Sequence, residues 1–210
     1  MSDVRVIEGD CLAVLPTLEA GSVDAVITDP PYGLSFMGQG WDHGVPGVPF
    51  WEAALRVLKP GGYLLAFGGT RTYHRLACAI EDAGFEIRDT LMWLYGTGFP
   101  KSHNLPGGWG TALKPAWEPI ILARKPLAGT VAANVLAHGT GALNVDACRV
   151  GGAPPVTWAK PRGGIWRTDA AASAELLTSD KGRWPANVVH DGSDEVEAAF
   201  AVFGEKGGGF

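Results

Sequence analysis

Long apolar runs are missing from this sequence. No uninterrupted apolar stretch approaches the roughly 20 residues of a membrane-spanning helix, so no membrane association is expected. Cysteine is scarce. Cys11, Cys78 and Cys148 are odd in number, far apart and never in a CxxC spacing. That argues against a disulfide framework or a zinc site, and each thiol is expected to be a small buried hydrophobe; no metal is expected. Charge is thin, at 19% Asp, Glu, Lys and Arg with a net −5. The opening MSDVRVIEGD lacks the charged-then-apolar layout of a signal segment, so a mature, cytoplasmic chain is expected.

What is present is enough for one full core with room for a small lobe: 210 residues, 46% of them hydrophobic. The charges are unevenly spread. Residues 1–60 hold 8 acids and 3 bases, residues 61–190 hold 9 acids and 13 bases, and residues 191–210 hold 5 acids and 1 base. A net basic middle lies between acidic ends, and a local basic face matters more to a polyanion than the total does. Scattered solvated charges would give the same count.

The first half alternates strands and helices. Val4–Ile7 is expected as a short strand and residues 11–22 as a helix with Leu12, Leu15 and Leu18 on one side. Asp24–Thr28 is the second strand, and residues 34–48 are a glycine-rich loop. Phe50–Leu58 is a helix, residues 59–62 (KPGG) are a turn, and 63-YLLAF-67 is a strand apolar on both faces. Residues 71–83 form a helix stopped by Gly84, and Phe85–Trp93 and 119-PIILA-123 are strands. The alternation predicts an open, mostly parallel α/β sheet. Residues 126–185 carry many glycines and prolines with little periodicity.

The stretch 24-DAVITDPPYG-33 concentrates the chemistry. An apolar strand runs into an acid, two prolines and a tyrosine. Ligands in open α/β sheets sit beyond the carboxyl ends of the strands, where Asp29 is expected. Pro30 and Pro31 donate no N–H and fix φ near about −65°. The Asp29 carboxylate and the Pro30 carbonyl thus make two acceptors on a stiff frame, with Tyr32 beside them as a stacking surface. An amino group on a flat ring suits that arrangement. Two acceptors pulling on its N–H bonds would localise the nitrogen lone pair and favour attack on an electrophilic methyl group. A plain turn with Asp first and Pro next also accommodates these residues.

TDPPYG after DAVI resembles motif IV of the amino-methylating DNA methyltransferases, and residues 6–33 resemble the opening of their β-type arrangement, with a Gly-Asp pair ahead of the DPPY segment. Residues 56–93 match the elements that follow, and 96-GTGFPKSHN-104 and 114-KPAWEPIILARKP-126 are similar to phage- and prophage-type members. The resemblance covers residues 4–126. It implies a Rossmann-like methyltransferase sheet that uses S-adenosylmethionine, with a catalytic domain over residues 1–126. Asp29 and Pro30 would hold the target amine, Pro31 would stiffen the turn and Tyr32 would stack on the base. The base must be flipped out of double-stranded DNA. Asp10, Asp29, Gly68 and Gly69 would approach the cofactor; Asp10 could equally cap the following helix, and the glycines could be a simple turn.

Residues 127–190 are the expected target-recognition region, irregular and rich in Gly, Pro and Trp. Lys101, ahead of it, and Arg149, Lys160, Arg162, Trp166, Arg167, Lys181 and Arg183 within it are the candidate DNA contacts, since aromatic and basic residues together suit stacking and phosphate binding. Residues 191–210 are expected to be an acidic, flexible stub. The family's glycine loop for the methionine end of the cofactor is absent from the sequence, so a truncated form, or a second chain supplying that loop, is expected. Adenine N6 is the expected target. Cytosine N4, RNA or an amide as substrate, and an inactive DNA-binding remnant, are the alternatives.

Overall fold

The computed structural model describes residues 4–35, 38–98, 102–150, 157–158, 176–177 and 182–201. By contacts the chain divides into two compact units, Met1–Ala142 with Asn187–Glu197, and Leu143–Ala186 with Ala198–Phe210.

The first unit is built on a five-stranded sheet. Its strands are β1 (Val23–Thr28), β2 (Leu58–Phe67), β3 (Glu86–Leu94), β6 (Trp117–Arg124) and β9 (Val188–His190), in the order β1-β2-β6-β3-β9. Helices α2 (Val48–Val57) and α3 (Tyr73–Asp82) pack on it. Trp51 and Ala54 of α2 and Leu76 and Ile80 of α3 meet Leu64 and Ala66 of β2 and Ile121 and Ala123 of β6 in one core cluster. Burying each large apolar side chain is worth about 1.5–3 kcal/mol. Gly84, at φ +100°, follows α3 where an L side chain would be strained.

Four of the five strands run in one sense, as the alternation predicts. β1 is parallel to β2, and β3 to β9. β6 departs from that expectation, lying antiparallel between β2 and β3. The ends of its connection explain why: the Tyr95 amide, just after β3, donates to the Ala116 carbonyl, just before β6, at 3.1 Å, and an adjacent return without a crossover must be antiparallel. Residues 59–62, expected as a turn, belong to β2 as an irregularity in its pairing with β1.

The expected strand at Val4–Ile7 does not form. The segment is exposed and unpaired among the described residues; β1, whose only described partner is β2, does not take it up on its outer side. A strand without a neighbour has nothing to satisfy its backbone. The helix expected over residues 11–22 is shorter as well. It runs as α1 (Cys11–Val14) and then tightens into a 3-10 turn, Leu15–Thr17, around Pro16. Cys11, Cys78 and Cys148 are exposed rather than buried.

A helix, α4 (Val131–His138), lies in the stretch without apolar period. Thr130 caps its start by accepting the Ala133 amide at 3.2 Å, and Gly139, at φ +73°, ends it. Its anchor is polar. Asn134 is fully buried, accepts the Ala128 amide at 2.8 Å, and donates to the carbonyls of Pro60 (2.9 Å) and Thr140 (2.8 Å). A last helix, α5, spans Asp194–Ala201.

In the second unit, β7 (Thr157–Trp158) pairs with β8 (Leu176–Leu177), and Val150 and Arg183 exchange backbone hydrogen bonds at 3.1 and 2.9 Å. Two further short strands, β4 (Asn104–Leu105) and β5 (Trp109–Gly110), form a hairpin between β3 and β6.

Candidate active site at the carboxyl edge of the sheet

The strand senses decide where the functional residues meet. The carboxyl ends of β1, β2, β3 and β9 and the amino end of β6 share one edge. Asp29 to Tyr32 leave β1 there, Gly68 and Gly69 leave β2, and Tyr95 leaves β3; Glu118 enters β6 at the same edge.

Tyr32 is the centre of the cluster. Its hydroxyl donates to Glu118 Oε2 at 3.3 Å, and its carbonyl accepts from Thr72 Oγ1 at 2.6 Å. Burial pushes the phenol far above its usual range, reinforced by a hydrogen bond to Asp29 and by the charge of Glu118. Tyr32 is therefore a neutral donor held between two carboxylates. Tyr95 is also raised, by burial and then by Glu118. Glu118 itself is raised by burial and by the Asp29 charge, with the Tyr32 hydrogen bond opposing.

The sign of the Glu118 shift has a consequence for stability. A carboxyl group whose folded pKa exceeds its unfolded value favours the fold below the unfolded pKa, and that contribution is lost as pH rises through the folded one. Melting temperatures taken from about pH 4 to about pH 7 should fall less in Glu118→Gln than in wild type. Identical slopes would show that Glu118 carries no such linkage.

The loop after Tyr32 has its own support. Asp42 is 2% exposed, and its carboxylate accepts the amides of Gly33 at 2.7 Å and Leu34 at 3.2 Å. Gly33, at φ +67°, turns back against Gly44, where a Cβ would lie 3.0 Å from the Gly44 carbonyl carbon. A carboxylate spent on two backbone amides fixes the DPPY segment from behind. Asp42→Asn leaves one amide facing an N–H and should cost about 2 kcal/mol in denaturant unfolding. A loss below about 0.5 kcal/mol would mean that the loop holds without it.

Gly68 and Gly69 follow β2 at the same edge. The Gly68 amide donates to the Pro119 carbonyl at 3.0 Å, joining β2 to β6. A Cβ on Gly69 would come within 3.4 Å of Tyr32 Cδ2 and Leu34 Cδ1 and 3.3 Å of Thr72 Oγ1, so glycine lets these three side chains close over the end of β2.

Of the residues expected from sequence, Asp29, Pro30, Pro31, Tyr32, Gly68 and Gly69 come together at this edge. Asp10 is exposed, and its Oδ1 accepts the Leu12 amide at 2.8 Å, capping α1. Arg149 is heavily engaged. Its Nε donates to Asp146 Oδ1 at 2.8 Å, Nη1 donates to the Gly182 carbonyl at 3.2 Å, and its guanidinium lies 5.1 Å from the Trp184 ring centre. A phosphate would compete with those contacts. Arg183 holds Val150 through its backbone. Lys101, Lys160, Arg162, Trp166, Arg167 and Lys181 lie outside the described residues. Among the described residues no cluster of His, Cys, Asp and Glu could hold a metal, and no helix is long and apolar enough to cross a membrane.

Sequence reasoning missed Glu118, Asp42, Thr72 and Tyr95. The signal for Glu118 was present in 114-KPAWEP-119, an acid flanked by Trp117 and Pro119 at the start of an apolar strand. Only the reversed sense of β6 brings it to the site.

The N6_N4_Mtase family of DNA methylases matches residues 23–187. The chain is 26% identical to the type II methyltransferase M.HindIII of Haemophilus influenzae over 196 residues, 64% of this chain and 63% of that protein. It is 30% identical to the type II methyltransferase M.HpaI of Haemophilus parainfluenzae over 115 residues, 49% of this chain and 35% of that one. It thus spans less than two thirds of the length of these relatives. The crystal structure of an M1.HpyAVI–SAM complex aligns at 21% identity with a TM-score of 0.40, covering 57% of this chain and 54% of that one.

Proposed function

The chain belongs to the N6/N4 family of DNA methylases, and from that membership we propose that it methylates the exocyclic amine of a base in double-stranded DNA, at adenine N6. The observation that supports this most is the acceptor pair at the carboxyl end of β1. Asp29 and Pro30 leave the strand on a proline-stiffened segment, and that segment is held in place by Asp42, Thr72 and Glu118 through the residues beside it.

A base brought here offers its amine as two N–H donors, one to the Asp29 carboxylate and one to the Pro30 carbonyl. Their pull keeps the nitrogen lone pair out of the ring and aims it. Tyr32, kept neutral and tied at its hydroxyl, offers its ring as a fixed stacking surface. The base must leave the duplex to reach them. S-adenosylmethionine, when bound, supplies the electrophilic methyl group, and the residues suited to hold it are Gly68 and Gly69 beside Tyr32, with Asp10 as a further candidate. Asp leading the DPPY segment favours adenine over cytosine. Residues 127–190, net basic and tryptophan-rich, are assigned to target recognition.

The test is to incubate the protein with duplex DNA and labelled S-adenosylmethionine, digest to nucleosides and identify the product by mass spectrometry. N6-methyladenine supports the proposal. N4-methylcytosine would keep the chemistry and change the base. Salt-dependent DNA binding that is indifferent to Asp29→Ala, with no methyl transfer, would mark a non-catalytic DNA-binding protein instead.

A further inference from the structure

The hairpin of β4 and β5 is not used by the chemistry above, yet it is built to present apolar side chains to solvent. Its turn is Pro106-Gly107-Gly108, with both glycines near φ +80° (+81° and +82°), a conformation that L side chains resist. Its base is closed by side chains. Ser102 Oγ accepts the amides of Thr111 at 2.9 Å and Ala112 at 3.3 Å, and the His103 amide donates to Thr111 Oγ1 at 2.9 Å. Leu105 and Trp109 sit opposite each other across the two strands. Trp109 is 73% exposed and Leu113 is 92% exposed. Large apolar side chains held out on an ordered hairpin, at Trp109, and in the segment just after it, at Leu113, point to a surface that meets something.

Two observations say what. The hairpin projects from the connection between β3 and β6, so it leaves the same sheet edge as Asp29 and Glu118. Residues 96–117 also contain no Asp or Glu, while Lys101, His103 and Lys114 are spread through them. Lys114 Nζ meets Glu195 Oε1 at 2.7 Å, so its charge is shared. A segment free of carboxylates suits the surface of a polyanion, and an exposed indole has the flat face that stacks on bases.

We propose that the β4–β5 hairpin is a wedge for the base stack, with Trp109 entering the gap that a flipped base leaves and Leu113 covering its flank. This rests on the DNA reading above. Taking a base out of a duplex costs stacking that a wedge at the vacated position restores. A duplex that already carries a gap spares that cost, so the wedge makes the protein prefer damaged to intact DNA.

The test needs neither the recognised sequence nor methyl transfer. Binding of the full chain to an intact duplex and to the same duplex with one abasic site is compared by fluorescence anisotropy at fixed salt. Wild type should prefer the abasic duplex by about tenfold, and Trp109→Ala should bind the two alike. Trp109→Phe should keep most of the preference and Leu113→Ala should weaken it. Both positions are exposed, so melting temperatures should match wild type. A preference that survives Trp109→Ala, or wild type that binds DNA with no preference, overturns the wedge alone. Wild type that binds neither duplex and transfers no methyl group overturns the DNA reading and the wedge with it.

Discussion

Asp29→Ala should lower methyl transfer on the order of 10²–10³-fold, the effect of removing one preorganised polar group from a reacting centre. The side chain is exposed at the end of β1, so its loss opens no cavity and the melting temperature should hold. The fall should appear in turnover at saturating DNA more than in binding, because phosphate contacts elsewhere carry most of the affinity. Asp29→Asn separates charge from shape. It keeps one acceptor oxygen and places an NH₂ where the second was, so activity should lie between wild type and alanine. Single-turnover transfer to duplex DNA measures both variants. Alanine activity within threefold of wild type would remove Asp29 from the chemistry.

Asn134→Ala should destabilise the first unit by about 3 kcal/mol. No other residue described here ties so many segments from so enclosed a position. Its amide reaches the Ala128 amide and the carbonyls of Pro60 and Thr140, and Thr140 Oγ1 also donates to Pro60. Alanine takes the partner from the Ala128 amide and the Thr140 carbonyl and leaves the Pro60 carbonyl to Thr140 Oγ1 alone, in a space too tight for easy repacking. A Cβ on Gly61 would lie 2.5 Å from Asn134 Nδ2, and one on Gly141 would lie 3.1 Å from it. Asn134→Asp should be no better, since it turns an oxygen toward two carbonyls. Denaturant midpoints at constant slope give the measurement. A loss under about 1 kcal/mol would mean that water replaces the amide.

The elements that were legible from sequence are those whose own pattern fixes them. Trp51 and Ala54 of α2 and Leu76 and Ile80 of α3 repeat at helical spacing; the apolar run of β2 is legible as a strand, but it is buried on one face only, through Leu64 and Ala66, while Tyr63, Leu65 and Phe67 are half-buried on the other. Asp29 to Tyr32 were legible because two prolines after a strand leave the backbone few choices. What was not legible depends on partners. Val4–Ile7 has strand composition, but no described strand takes it up. The sense of β6 is set by its return from β3, and with it the arrival of Glu118 beside Tyr32. α4 is held by Asn134 and two cap residues, so it carries no apolar stripe for a periodicity to find. Asp42 lies in a glycine-rich loop, and nothing local says that its carboxylate faces Gly33 and Leu34.

Among the described residues β1 pairs on one side only, and Ile27, near its carboxyl end, is 71% exposed. Its outer backbone N–H and C=O groups form an open template, guarded chiefly by Asp24, whose charge is shared with Lys59 at 2.6 Å. Such an edge sets a concentration limit. As protein concentration rises, edge-to-edge pairing between molecules is the association that this strand, ending just before Asp29, is expected to favour.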